Sequence, residues 1–192
     1  MTTKFTNKLI TITAPSGAGK TTLSRNCFDI DHTIISCTTR APREGERDGI
    51  DYYFITRKQA EELKANHETL EYTEYNGNIY CYTKDEFKKL EHGDCVIICT
   101  IEGLRALLSY QPLAEIIIPV FLKIDKKNME ARLAERNDGE DKMKQRIALY
   151  EKEAANEDII AKLPHSVIIN VSNNSQFDTV DNFHEMVLDK LK

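Results

Sequence analysis

The octet Ala14-Pro15-Ser16-Gly17-Ala18-Gly19-Lys20-Thr21 restricts this chain more than any other stretch. It lies between the apolar, β-branched run Leu9–Thr13, which reads as a strand, and a helical pattern over 21–28. It matches G-x-x-x-x-G-K-[ST] at every position but the first, where Ala14 needs only a backbone conformation that a methyl group tolerates. Gly17 and Gly19 allow successive N–H groups to turn inward around phosphate oxygens, and the helix N-terminus adds its favourable dipole. Lys20 would neutralise β- and γ-phosphates, and the Thr21 hydroxyl would reach Mg²⁺. The reading is a nucleoside triphosphate site, with nucleotide contacts at Ser16, Gly17, Ala18, Gly19, Lys20, Thr21 and Thr22. By itself the motif does not name a reaction.

Further β-branched runs at 33–37, 95–99, 116–124 and 166–170 follow, the third of these carrying Pro119 near its start. Near-continuous apolar runs suit strands buried on both faces of a parallel sheet. Helical patterns fall at 57–66, 84–90, 103–109, 127–136, 141–156 and 179–191. The expected fold is α/β with a five-stranded parallel sheet. Residues 51–82 break the alternation. They are aromatic and strand-like, with Asn76-Gly77 as a hairpin signal between 70–75 and 78–82, and predict a small antiparallel insertion. A second insertion, 126–157, is charged and helical with an Asn137-Asp138-Gly139 break, the character of a lid.

A chain of 192 residues suits one compact unit carrying such insertions. Its 26 basic and 31 acidic side chains give a net charge of −5, which argues against nucleic acid or an anionic membrane as the main partner. No stretch approaches the ~18 apolar residues of a membrane span, and residues 1–8 carry no secretory pattern. The five cysteines include no C-x-x-C pair and read as buried free thiols, suiting a reducing cytoplasm.

A second constellation, Ser36-Cys37-Thr38-Thr39-Arg40-Ala41-Pro42-Arg43-Glu44-Gly45-Glu46-Arg47-Asp48-Gly49-Ile50-Asp51-Tyr52-Tyr53-Phe54, begins at the end of a core strand, where α/β ligand sites lie. Arg40 and Arg43 sit on a Pro- and Gly-punctuated loop, free to converge on an anion that guanidinium forks match bidentately. Tyr52 can add a phenolic hydrogen bond.

This string resembles the S-x-T-T-R-x-P-R-x-G-E-x-x-G-x-D-Y-x-F signature of the guanylate kinase family, and the resemblance continues along nearly the whole chain. It implies a three-layer P-loop kinase core (1–35, 91–125, 158–192), a monophosphate-binding insertion (36–90) and a helical lid (126–157). It further implies ATP-dependent phosphorylation of GMP or dGMP with Mg²⁺, in a cytoplasmic monomer or homodimer. Ser36 would face guanine, while Arg40, Arg43 and Tyr52 would hold the acceptor phosphate. Glu71 in Leu70-Glu71-Tyr72 looks like the guanine-reading glutamate, whose carboxylate accepts from both N1–H and N2–H₂. Gly77-Asn78-Ile79-Tyr80 looks like the G-N-x-Y motif, whose tyrosine contacts phosphate. Arg132, Arg136 and Arg146 resemble the lid arginines that close over the donor, and Asn170 the asparagine near adenine. A sibling kinase with another acceptor, or a silent binding module using the same groove, are the rival readings.

Two departures stand out. The family follows its phosphate-contacting tyrosine with Gly and then Ser or Thr; here Cys81-Tyr82 follow, leaving Thr83, Tyr82 or neither to supply the hydroxyl. The third core strand usually ends in D-x-D or E-x-D, and here ends Ile98-Cys99-Thr100, with Glu102 as a substitute for one carboxylate.

Overall fold

A computed structural model describes residues 6–75, 77–135, 139–172 and 176–188. In chain order the strands are β1 (Leu9–Thr13), β2 (Thr33–Ile34), β3 (Cys37–Thr38), β4 (Tyr53–Phe54), β5 (Thr69–Tyr75), β6 (Asn78–Thr83), β7 (Cys95–Ile98), β8 (Ile117–Lys123) and β9 (Val167–Asn170). The helices are α1 (Lys20–Cys27), α2 (Arg57–Ala65), α3 (Ile101–Ser109), α4 (Gln111–Ala114), α5 (Lys126–Glu135), α6 (Glu140–Ala154), α7 (Asn156–Ile160) and α8 (Gln176–Met186).

Five strands form a parallel sheet in the order β2-β7-β1-β8-β9. Every residue of β1 is buried, as expected of an apolar run covered on both faces. The other sheet, in the order β4-β3-β6-β5, joins β3 to β6 and β5 to β6 antiparallel, and β3 to β4 by a short parallel pair. The expected hairpin is present: Tyr75 pairs with Asn78, and Gly77 takes a left-handed φ of 72°.

The run 33–37 does not remain one strand. Ile34 pairs with Ile97 in the parallel sheet, whereas Cys37 pairs with Cys81 in the other. Buried Glu86 accounts for the break, because its carboxylate accepts the Ile35 N–H at 2.9 Å and so replaces the next ladder bond. Glu86 also accepts the Tyr53 hydroxyl at 2.8 Å and Lys89 at 2.9 Å. The Ser36 carbonyl then takes the Tyr53 N–H at 3.0 Å, starting the new sheet. Expectation and structure differ again over 84–90, where the chain forms a 3-10 helix, Glu86–Glu91, instead of an α-helix.

By backbone packing the chain divides into two compact units. One comprises residues 1–9, 29–97 and 102–117; the other comprises 10–28, 98–101 and 118–192. Ile79, Cys81, Tyr82, Phe87 and Leu90 are buried in the first, with Leu104, Leu107 and Leu113. The second buries Ile10, Ile12, Leu23, Phe121, Met129, Leu133 and Phe183, and sets the Phe28 ring edge-on to Phe183 at 6.2 Å. Among the described residues no helix is long and apolar enough to cross a membrane.

Candidate active site

The glycine-rich loop 14–21 belongs to the second unit. Gly17 and Gly19 adopt φ of 82° and 93°, left-handed values that side chains with a Cβ rarely take. Gly19 is the residue before α1, and its carbonyl receives the Leu23 N–H at 2.9 Å, the first regular bond of that helix. Lys20 folds back over the loop, donating to the Ala14 carbonyl at 2.8 Å and the Pro15 carbonyl at 3.2 Å. Thr21 is exposed on the first turn of α1, Ser16 and Thr22 are half-buried, and Ala18 is buried.

Two further groups in this unit touch the loop. Arg132 of α5 approaches the Ala18 carbonyl at 3.5 Å and donates to Val171 beyond β9 at 2.7 Å. Glu153 of α6 accepts the Ser16 N–H at 2.9 Å. Asn170, at the end of β9, receives the Ser172 N–H at 3.0 Å and lines a concavity of about 290 Å³ with Pro15, Tyr150 and Ser172. Arg146 is half-buried on α6; Arg136 lies outside the described residues.

The arginine and aromatic cluster belongs to the first unit. Arg40 is braced by Glu46 through two parallel bonds of 2.9 Å, and also donates to the Ala41 carbonyl at 2.7 Å. Its guanidinium lies 5.2 Å from the Tyr52 ring centre and 5.9 Å from that of Phe54. Tyr52 in turn meets Tyr80 edge-on at 6.2 Å. Burial disfavours the Arg40 charge, but Glu46 and Tyr80 outweigh it and hold the guanidinium above its ordinary value. Arg43 is exposed, with its N–H on Glu46 at 2.8 Å. Burial pushes the Tyr52 phenol up, so it stays protonated and able to donate.

Glu71 on β5 pairs in register with Tyr82 on β6, and Thr73 with Tyr80. Side chains alternate across a strand, so Glu71, Thr73, Tyr80 and Tyr82 fall on one face. Burial, with the Glu102 charge adding to it, raises the Glu71 carboxyl above the usual range against a bond from Thr73.

The guanylate kinase family model matches residues 6–189. The chain belongs to the guanylate kinase family. It is 27% identical to the guanylate kinase of Rickettsia bellii over 99% of this chain and 98% of that one. To the guanylate kinase of Rubrobacter xylanophilus it is 35% identical, over 79% of this chain and 81% of the other. The crystal structure of guanylate kinase from Anaplasma phagocytophilum is similar in fold, with a TM-score of 0.69 at 22% identity, covering 98% of this chain and 88% of that one.

Within this guanylate kinase, strand alternation brings Tyr82 to the Glu71 face and puts Thr83 on the other, with Cys81. Tyr82 is only 6% exposed, its ring edge-on to Phe87 at 6.4 Å. Ser36 sits where the chain changes sheets, and Thr100 is exposed just before α3. Sequence reasoning did not find Glu46, Thr73 or Glu153. Each is a polar residue on a loop, strand or helix, and only its partner distinguishes it from a solvated side chain. For Thr73 a signal existed in the two-residue spacing from Glu71.

Proposed function

We infer that this guanylate kinase transfers the γ-phosphoryl group of ATP to GMP, releasing ADP and GDP, with dGMP as the alternative acceptor. The observation carrying this reading is a single sheet face that holds two kinds of group. Arg40, Tyr52 and Tyr80 form a cation–phenol cluster fit for a phosphate, and Glu71 offers a half-buried carboxylate that suits the N1–H and N2–H₂ edge of guanine. Arg43, exposed on the same loop, is free to turn towards the acceptor phosphate. Ser36, where the chain enters this sheet, is assigned to the base.

On the donor side Ser16, Gly17, Ala18, Gly19, Lys20, Thr21 and Thr22 form the phosphate cradle, the Ser16 N–H exchanging the Glu153 carboxylate for a phosphate oxygen. Lys20 exchanges its two loop carbonyls for β- and γ-phosphate oxygens, a cation placed in advance where charge moves during transfer. Asn170 and the concavity beside it serve the adenine end. Among the described residues no cluster of three His, Cys, Asp or Glu could hold a metal ion. The exposed Thr21 hydroxyl on the first turn of α1 fits Mg²⁺, which takes few protein ligands besides nucleotide phosphates and water. Held there by the Thr21 hydroxyl, Mg²⁺ would supply charge neutralisation to the nucleotide phosphates. The attacking oxygen of a nucleoside monophosphate is already anionic, so no general base is needed.

Residues 126–157 act as the lid that excludes water, and Arg132, Arg136 and Arg146 are its contribution to phosphate charge. The working division is a core of 1–35, 91–125 and 158–192 with an acceptor insertion of 36–90. Five free cysteines, four of them buried, suit the reducing cytoplasm. Nucleotides are the only partners proposed, for a monomer or homodimer.

The test is ADP release measured across ribo- and deoxyribonucleoside monophosphates with ATP and Mg²⁺. GMP and dGMP should be used well ahead of AMP. Equal use of AMP would favour a sibling kinase, and failure of every monophosphate to elicit ADP release would favour a binding module.

A further inference from the structure

Glu71 does not stand alone on β5. Two residues on, and therefore on the same face, the Thr73 hydroxyl donates a hydrogen bond to Glu71 Oε1. Both side chains are half-buried. In register, Glu71 lies opposite Tyr82 and Thr73 opposite Tyr80, so Thr73 falls between the base end and the phosphate end of the proposed acceptor site.

We propose that Thr73 is a positioning residue for acceptor-base recognition, its hydroxyl aiming the Glu71 carboxylate at the base edge and holding it in the ionised, acceptor-only form. The proposal rests on Glu71 as the guanine reader. Three physical points support it. A free glutamate samples several rotamers, whereas one carboxylate oxygen tied to a β-branched neighbour with few χ1 states is largely fixed before the nucleotide arrives. A carboxylate has about four lone-pair sites; Thr73 uses one, leaving acceptors for both N1–H and N2–H₂. Finally, a protonated Glu71 would present an O–H to guanine N1–H, donor against donor.

The surroundings push Glu71 towards that wrong form. Burial raises its pKa most, the bond from Thr73 opposes that rise, and the Glu102 carboxylate on α3 adds a smaller upward push. On the neighbouring strand Tyr82 lies directly opposite, and next to it the Cys81 thiol is raised by its bond with Cys37 and by burial, with the Glu71 charge adding least. Removing the Thr73 bond therefore moves the Glu71 midpoint further up. Loss of the ionised form on acidification then begins at a higher pH.

The experiment compares Thr73→Val, Thr73→Ser and Glu71→Gln with wild type. It measures kcat and KM for GMP from mildly acidic to neutral pH at saturating ATP, with KM for ATP and Tm as controls. Thr73→Val is expected to raise KM for GMP roughly tenfold, the scale of a lost hydrogen bond to a charged group. Its kcat and KM for ATP should stay within about twofold, and the acid limb of kcat/KM for GMP should move to higher pH. Thr73→Ser should return both readings towards wild type. If Thr73→Val keeps the wild-type KM and acid limb while Glu71→Gln raises KM for GMP, the positioning role is wrong and Glu71 stands as reader. If neither variant changes KM for GMP, both assignments fall. If Thr73→Val and Thr73→Ser lose kcat and ATP affinity together, the threonine is merely structural and the proposal is overturned.

Discussion

Single residues divide by whether their role is written into backbone geometry or into a partner. Lys20 is of the first kind: the two left-handed glycines around Ala18 set the turn into α1, and from its start the Lys20 ammonium lies on two loop carbonyls. Lys20→Ala is expected to fold with a near-normal Tm and to lose about 10²-fold or more in kcat, since a preorganised cation is missing from the transferring charge. Near-wild-type turnover in folded Lys20→Ala would remove it from catalysis. Arg40 is of the second kind, since its direction depends on Glu46. Burial pushes the Glu46 carboxyl up, and Arg40 with the Arg43 N–H more than reverses this, leaving it below the usual carboxylate range. With the folded value depressed, the pair stabilises the fold above the ordinary carboxylate range, and that contribution is lost as pH falls through the folded value. Wild type should thus lose more Tm between pH 7 and pH 3 than Glu46→Gln does. Parallel curves for the two proteins would mean that the pair adds nothing to stability. The pair was not legible beforehand, because a glutamate on a glycine-punctuated loop reads as a solvated charge.

At the scale of elements, periodicity predicted the core strands and most helices, and failed where side chains from afar intervened. The run 33–37 reads as one strand because all its residues suit one; Glu86, fifty-one positions from Ile35, ends it. Segment 84–90 reads as a helix because its charges and Leu90 have helical spacing. It becomes a 3-10 helix in which Glu86, Phe87 and Leu90 are all buried, and Glu86 and Phe87 are neighbours in sequence. The charged helices α5 and α6 were legible from composition, as was the Gly139 break between them, which takes a φ of 88°. Whether they work as a lid is a matter of exchange rates. Amide exchange across 126–157 should slow markedly when a bisubstrate analogue fills both nucleotide sites. Unchanged protection would make the segment a static helical hairpin.

Across the whole molecule, packing constrains what can stand at Tyr82, where the chain departs from the family pattern. A serine would supply the small hydroxyl usual in the family, but the Tyr82 ring is buried against Phe87. Tyr82→Ser should therefore cost roughly 3–5 kcal/mol of stability, the scale of truncating a buried aromatic, and lower Tm before any gain in GMP affinity can be read. Tyr82→Phe keeps the ring and isolates the hydroxyl; a raised KM for GMP with unchanged Tm would assign that hydroxyl to base reading, and an unchanged KM would exclude it. Sequence alone determined the left-handed glycine loop before α1, the alternation of strand and helix and the family signature. These depend on glycine dihedrals, side-chain period and spacing along a few residues, which are local. Tertiary structure alone decided that Glu86 splits a strand, that Glu46 braces Arg40, that Thr73 rather than Thr83 shares a face with Glu71, and that Tyr82 is held by Phe87. Each depends on which face, register or distant partner a side chain meets, and those are set only when the whole chain packs.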